Sequence, residues 1–156
     1  PQWIPSTGED RYRRSLYTYT KRTAPFAMFH TFDAPSGEFC TAKRNRSNTA
    51  LQALTILNDV MFIDIAKQFG TELSNSKEAK IAKVNTAFLR ILCRPPTESE
   101  QRSVLKYYES LHDEYRNKPK NAQTLVGVEG EAAIEAAAWT GVVRVLFSTD
   151  EAITKN

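Results

Sequence analysis

SNTALQALTILNDVMFIDIAKQFG, residues 47–70, is the stretch that decides the fold class of this chain. Its large apolar residues recur at steps of three and four positions, which places them on one face of an α-helix. They are Leu51, Leu54, Leu57, Met61, Ile65 and Phe69. Ser47 or Asn48 fits the N-cap, and Gly70 fits a stop because the residue after a helix often needs left-handed backbone angles. The pattern predicts one helix over residues 49–69.

A second helix is predicted in the residues that follow. Asn75 and Glu78 have the spacing of a capping box in which Asn replaces the usual Ser or Thr. Apolar residues at helical spacing continue through residues 81–92. We expect this helix to end near Cys93, because Pro95 and the proline after it cannot continue a helix.

Two further helices complete the predicted bundle. Thr97-x-x-Glu100 is a capping box, and it opens a helix expected to stop near Arg116. Residues 117–130 are polar and rich in turn formers, so they are predicted to form a mobile surface connection. An alanine-rich helix then begins near Glu131. The expected fold is mainly α, with an irregular Arg-, Pro- and aromatic-rich N-terminal segment followed by a bundle of about four helices.

The first 46 residues differ in composition from the rest of the chain. They hold four prolines, and eight Lys or Arg against four Asp or Glu. This composition predicts an extended lead-in over residues 1–46 that packs on a helical domain of residues 47–156. Residues 10–22 fit a short helix or a strand, and the spacing of Tyr12, Leu16 and Tyr19 favours the helix. Because the chain starts at Pro1, we expect a fragment or processed product of a larger protein.

Cofactor and metal motifs do not occur in the sequence. A c-type haem is attached through Cys-x-x-Cys-His, which this chain lacks. His30 and His112 are distant in sequence from each other and from both cysteines, so we predict no metal site and no cofactor in this chain. Cys40 and Cys93 are expected to be buried free thiols, with one disulfide as the alternative in an exported protein.

No complete catalytic centre can be identified from motifs. The chain has no Gly-x-Ser-x-Gly signature and no glycine-rich phosphate loop. Nucleic acid is not an expected partner, because the net charge of +3 is modest and no nucleic-acid-reading motif occurs. No stretch approaches the roughly 20 apolar residues of a membrane span, so no membrane span is predicted.

Basic and aromatic residues are interleaved in the N-terminal segment. Guanidinium groups and aromatic faces suit polyanions and sugars. Arginines also serve as structural donors to carbonyls and acids, and we favour that role here. A polyanion surface would instead bind a sulfated glycan in a salt-dependent way. The candidate binding residues are Arg13, Arg14, Arg22, Asp33, Arg44, Arg46, Gln52 and Asn58.

Three blocks of sequence support a family resemblance. They are RRSLYTYTKRT at residues 13–23, FDAPSGEFCTAKRNRSNTALQALTILND at residues 32–59 and AWTGVVRVLFSTDEAITKN at residues 138–156. In this order, and with RPPT at residues 94–97, they resemble the C-terminal domain of unknown function of planctomycete cytochrome-associated proteins. The family usually has Pro in place of Ala50, Leu-Asn in place of Phe147-Ser148 and Phe in place of Ala152, so the departures concentrate in the closing helix.

The resemblance implies a large exported protein that is periplasmic or on the cell surface. In that family the domain follows a helical partner domain and sometimes a haem-bearing cytochrome domain, so a haem c would lie elsewhere in the parent protein. Such proteins are often encoded near sulfatases and polysaccharide-degrading enzymes, which implies acidic or sulfated polysaccharide as a partner. The missing N-terminal domains of the same protein are the other implied partner.

Two functions stay open at this point. The first is a non-catalytic helical module whose residues 32–59 dock on the missing N-terminal region, because polar side chains crowd into an otherwise apolar segment. The second is part of an enzyme, redox or polysaccharide-degrading, whose catalytic centre is completed by missing domains. In that enzyme Asp33, Arg44 and Arg46 would contribute to the site.

Overall fold

A computed structural model of the chain describes residues 4, 6–21, 24–43 and 45–154. Two 3-10 helices, Gly8–Tyr12 and Ser15–Tyr17, precede the α-helices. The α-helices are α1 Ala27–Thr31, α2 Ala50–Asn58, α3 Val60–Asn75, α4 Lys80–Leu92, α5 Glu98–Asn117, α6 Pro119–Val126, α7 Glu131–Phe147 and α8 Asp150–Ile153. The described residues contain no β-strand, and the predicted mainly α fold is confirmed.

The predicted single helix over residues 49–69 is wrong, because Asp59 divides it into α2 and α3. Asp59 has extended backbone angles, and its carboxylate accepts a hydrogen bond from the Met61 amide at 2.9 Å, which caps α3. The break leaves carbonyls at the end of α2 without helical partners. Arg144 of α7 donates to one of them, the Leu57 carbonyl, at 2.7 Å. The N-cap of α2 is Thr49 rather than Ser47 or Asn48.

Gly70 lies inside α3 and does not stop it, so that prediction is also wrong. A Cβ atom at Gly70 would lie 2.5 Å from the Thr140 hydroxyl and 2.6 Å from the Thr140 amide nitrogen. The glycine therefore permits the backbones of α3 and α7 to approach closely. Since α3 continues to Asn75, the predicted cap at that residue is wrong as well, and α4 begins after Ala79.

Helix α7 is the centre of the fold and packs against α3, α5 and α6. Ten of its residues are buried, among them Trp139, whose ring lies 4.5 Å from that of the buried Tyr108 on α5. Its alanines leave room for neighbouring helices because they carry only a methyl group. The core is therefore built around α7, and α3, α4 and α5 supply most of the surrounding apolar side chains.

The predicted mobile connection over residues 117–130 is wrong, because most of it is helix α6. Pro119 occupies the first turn, where a missing amide hydrogen has no cost. Ala122 is fully buried and packs with residues of α7. Gly127, with φ 72°, ends the helix in the left-handed conformation that glycine adopts readily. Only residues 127–130 remain as a loop before α7.

The start and end of α5 and the end of α4 agree with the predictions from the sequence. Thr97 and Glu100 form the predicted capping box, and α5 ends at Asn117, one residue beyond the expected stop. Helix α4 ends at Leu92, and Cys93 follows in the left-handed conformation with φ 59°. The prediction of buried thiols is wrong, since Cys40 and Cys93 are both exposed and free.

The N-terminal segment contributes little to the core. Two short 3-10 helices stand where residues 10–22 were predicted to form an α-helix, and Tyr12, Leu16 and Tyr19 are all exposed. No described residue before Gln52 is buried. Arg11 reaches α3 through an ion pair of 3.1 Å with Asp64. The division into a lead-in of residues 1–46 and a helical domain stays a prediction.

The described helices differ in length and in apolar composition. None of them combines the length and the apolar composition that a bilayer crossing needs.

The close approach of α3 and α7 predicts that Gly70→Ala destabilises the protein by about 1–3 kcal/mol, because the added methyl group meets rigid backbone. The gain in helix propensity, about 1 kcal/mol, opposes this loss. Gly141→Ala is the matched control in α7, since its methyl group meets only the flexible end of Leu111. Urea unfolding of both variants measures the difference, and a Gly70→Ala protein as stable as the control would contradict the packing.

Candidate functional site

A cleft of about 370 Å³ lies between the segment after α1, the start of α2 and the end of α8. Three of the residues selected from the sequence line it, namely Asp33, Arg46 and Gln52. The structure thus brings together side chains from three separate parts of the chain. Phe32 and Ile153 add apolar surface to the same cleft. Seven of its nine described lining residues are polar or charged, so the cleft suits a polar ligand rather than the apolar ligands that most pockets bind.

Asp33 is placed in the cleft by the C-terminal turn of α1. The Ala34 amide donates to the Phe29 carbonyl at 2.7 Å, and the Asp33 amide donates to the His30 carbonyl at 3.3 Å. These two bonds form a Schellman motif, whose left-handed residue is usually glycine. Asp33 occupies that position with φ 53°, although a side chain there costs roughly 1–2 kcal/mol. A carboxylate at this strained position is therefore held for the contacts that it makes.

The carboxylate of Asp33 joins the α1 turn to the start of α2. It accepts hydrogen bonds from the Ser47 amide at 2.7 Å and from the Ser47 hydroxyl at 2.6 Å. Two such bonds to a charged acceptor are stronger than neutral ones. Asp33 therefore fixes the segment that enters α2.

Gln52 extends this network into the protein. Its side chain is almost completely buried, and its amide nitrogen donates to the Thr31 carbonyl at 2.9 Å and to the Ser47 hydroxyl at 3.1 Å. Its amide oxygen accepts from the Thr49 amide at 3.1 Å, while the Thr49 hydroxyl caps the helix in return. Every polar group of the Gln52 side chain is thus bonded, so this residue positions the cleft rather than binding a ligand.

The accessible chemistry of the cleft comes from its rim and its far end. Lys43 and Arg46 are exposed cations at the cleft. Asp33 and Arg46 are both engaged within the chain. The hydroxyl of Thr154 is buried and has no hydrogen-bond partner among the described residues. The cleft therefore presents cations and the aromatic ring of Phe32 to a ligand, while the Thr154 hydroxyl lies covered beneath its wall.

The remaining candidate residues do not meet at this cleft. Arg13 pairs with Asp10 at 2.8 Å on the surface, and Arg14 is exposed. Asn58 donates to the Leu54 carbonyl at 2.8 Å within the last turn of α2. Arg22 and Arg44 lie outside the described residues. Lys43 belongs to the basic and aromatic segment but is not among the candidate binding residues, and Ser47 and Thr154 carry no signal for a site in their residue types alone.

Arg94 forms a second cluster that the sequence did not reveal. Its guanidinium group binds both carboxylate oxygens of Glu100, at 2.6 and 2.9 Å, and reaches Glu151 of α8 at 2.7 Å. Hydrogen bonds from Arg94, and then from the Thr97 amide, lower the pKa of Glu100 to about 2. The Arg94 side chain also lowers the pKa of Glu151. These shifts show that the cluster favours the ionised forms of both acids.

Helix α4 also carries a buried cation, Lys83. Lys83 is 4% exposed, and its ammonium group donates to the Ser74 carbonyl at 3.2 Å and to Glu135 at 3.1 Å. It lies 5.9 Å from the centre of the Trp139 ring. Because its hydrogen bonds are satisfied by the fold, we assign Lys83 a structural role. Within the described ranges, no three His, Cys, Asp or Glu side chains gather as a metal site would require.

Comparisons with known proteins place the chain among proteins without an assigned activity. A family model described as "PSD1: Protein of unknown function (DUF1553)" matches residues 1–108. No curated protein matches the chain, and no solved structure matches it.

The Arg94 cluster predicts how Glu100→Gln acts at different pH. A carboxyl group whose pKa is lowered on folding adds stability above its unfolded pKa of about 4.3. That stability is lost as the pH falls towards the folded pKa of about 2. We expect Glu100→Gln to cost roughly 1 kcal/mol at pH 6, and the difference from wild type to shrink as the pH falls from 5 to 2.

Urea unfolding at several pH values measures this effect. Glu98→Gln is the control, because Glu98 lies in the same first turn of α5 and outside the Arg94 cluster. Both substitutions remove a negative charge from the helix N-terminus, so the control accounts for the helix dipole. A Glu100→Gln penalty that stays constant from pH 6 to pH 2 would show that the ion pair does not stabilise the protein.

Proposed function

This chain belongs to the PSD1 family of proteins of unknown function (DUF1553), and from that premise we propose that it is a non-catalytic helical module of a larger exported protein. The module docks on the other domains of that protein through its N-terminal third and the exposed face of α2. The resemblance to planctomycete cytochrome-associated proteins supports a periplasmic or cell-surface location, with haem c in another domain.

The observation that carries this proposal is the distribution of exposed apolar side chains. Of the fourteen exposed large hydrophobic residues in the described part of the chain, nine lie at or before Val60. In the same part of the chain, no described residue before Gln52 is buried. A concentration of exposed apolar side chains in one part of the chain supports an interaction site there, because such side chains are unfavourable in water. This part of the chain is therefore suited to pack against another domain, which would shield its apolar side chains from water.

Helix α2 shows the same property at the level of single residues. Leu51 is 60% exposed and Leu54 is 54% exposed, whereas Gln52 and Ile56 face the protein. Part of the apolar face of α2, formed by Leu51 and Leu54, thus faces solvent instead of the core. Val60, at the start of α3, continues it with 59% exposure. Removing such side chains from water stabilises a complex by about 1.5–3 kcal/mol for each one fully buried.

Binding of an acidic or sulfated polysaccharide at the cleft is the second candidate function. It is favoured by Lys43 and Arg46 beside the ring of Phe32, because cations bind sulfate or carboxylate groups and aromatic rings pack on sugar faces. Asp33 favours binding over catalysis. Its carboxylate accepts two hydrogen bonds from Ser47 and so serves as an anchor within the fold rather than as a free base. An enzyme completed by other domains is the alternative to both.

The docking proposal predicts different effects of charge on α2 in the isolated chain and in the parent protein. We expect Leu51→Asp with Leu54→Asp to change the melting temperature of the isolated chain little, because both side chains are exposed. In the parent protein the same pair loses apolar contacts, and its melting temperature should fall by several degrees. Thermal unfolding of the isolated chain and of the parent protein, each with and without the two substitutions, measures these changes in melting temperature.

Ile81→Asp with Leu89→Asp on α4 is the matched control, since these side chains are 52% and 53% exposed. The control pair should behave alike in both proteins. Hydrogen exchange at residues 50–58 gives a second reading, because a docked α2 is protected in the parent protein. Equal exchange of α2 in chain and parent, with equal effects of the two pairs, would contradict docking.

The glycan proposal predicts salt-dependent binding of dextran sulfate and none of neutral dextran, because exposed charges are screened by salt. Lys43→Ala should weaken the affinity about fivefold, which corresponds to about 1 kcal/mol for one exposed charge. Lys106→Ala on α5 is the control for net charge, and it should leave the affinity nearly unchanged. Equal binding of the two polymers, or equal loss in both variants, would contradict the proposal.

A further inference from the structure

We propose that Arg94 is a positioning residue for the cleft: by holding Glu151, its guanidinium group fixes α8 and the cleft wall that Ile153 and Thr154 form. This inference rests on the proposed role of the cleft in glycan binding, and it adds a residue that does not touch the cleft. Arg94 acts through the helix that it anchors.

The guanidinium group of Arg94 joins two acids from different helices. One side binds Glu100, which also accepts from the Thr97 amide at 2.7 Å as part of the α5 capping box. The other side binds Glu151 through Nε at 2.7 Å and Nη2 at 2.7 Å. The group also stacks over the ring of the buried Phe88, 5.6 Å from its centre. Arg94 is thus held in place by Glu100 and Phe88, and its bonds to Glu151 connect α8 to that fixed group.

Helix α8 has few other means of keeping its place. It has four residues, no side-chain cap at its N-terminus and no buried residue. One turn of helix is not stable alone in water, because nucleation is unfavourable. Its orientation therefore depends on contacts with α2, α4 and α7 and on the link from Glu151 to Arg94.

Displacement of α8 would change the cleft directly. Thr154 follows α8 and lines both this cleft and a neighbouring one of about 740 Å³, which Ile91, Cys93 and Glu151 also line. The C-terminal segment is thus the partition between the two clefts. If α8 moves, the first cleft loses Ile153 and Thr154 and opens into the second. A ligand can contact Ile153 and Thr154 only while the ion pair between Arg94 and Glu151, here called the Arg94 clamp, holds α8 in place.

Arg90 provides a closely matched control for this proposal. It pairs with Glu72 at 2.7 Å and stacks over the ring of Phe69 at 5.0 Å, so it makes the same two kinds of contact. Its acid partner lies on α3 and lines neither cleft. Loss of Arg90 therefore measures the general effect of losing an arginine clamp, without movement of α8.

The experiment combines hydrogen exchange of residues 150–154 with dextran sulfate affinity and thermal unfolding, for wild type, Arg94→Ala, Arg94→Lys and Arg90→Ala. We expect Arg94→Ala to raise exchange at residues 150–154 about tenfold or more, because local opening is easier without the clamp. Its affinity should fall by a similar factor. Arg94→Lys should be intermediate, since an ammonium group keeps the charge but cannot bind both acids with two bonds each. Arg90→Ala should change only the melting temperature.

Glu151→Gln releases α8 from the other side and leaves the α5 cap intact, so it serves if Arg94→Ala does not fold. Unchanged exchange at residues 150–154 in Arg94→Ala and Glu151→Gln would overturn the clamp, whether or not the polymer binds. Equal loss of affinity in Arg90→Ala would overturn the positioning role. If the wild-type protein does not bind dextran sulfate, the glycan proposal is wrong and no effect on affinity can be measured. The hydrogen-exchange data would still show whether Arg94 holds α8 in place.

Discussion

The close contact between α3 and α7 at Gly70 and Thr140 is the constraint on which the rest of the structure depends. At this point two helix backbones approach so closely that a methyl group does not fit between them. Because α7 is surrounded by α3, α5 and α6, its alanines must stay small on several sides at once. The large side chains are placed where that spacing allows them, with Trp139 against Tyr108. The core is therefore set by small residues at the contacts and filled by large ones between them.

The cleft is held together by a different kind of interaction. Its walls are joined by hydrogen bonds from Ser47 to Asp33 and from Gln52 to Thr31, with almost no buried apolar surface nearby. Polar contacts are directional, so they fix side chains at defined positions. They also contribute less net stability than apolar burial, since water competes for each group. The N-terminal third can therefore be well defined in geometry and still add little to the stability of the core.

Features that depend on interactions between residues close together in the sequence could be predicted. Features that depend on residues far apart in the sequence could not. The Thr97 capping box and the end of α4 before two prolines were correctly predicted, because their chemistry lies within a few residues. Gly70 was misinterpreted because a stop and a close contact both select glycine, and only Thr140 distinguishes them. The cap at Asp59 was hidden inside a regular apolar pattern. In the cleft, Asp33 and Gln52 were selected by residue type, whereas Thr154 joins them only through the tertiary fold.

The two exposed leucines of α2 connect these observations to function. Burying Gln52 costs little, because Thr31, Ser47 and Thr49 satisfy its polar groups. Exposing Leu51 and its neighbour Leu54 has no such compensation within the chain, since water around large apolar side chains is unfavourable. The inner face of α2 is thus committed to the cleft, and its outer face gains favourable free energy only when another surface covers it.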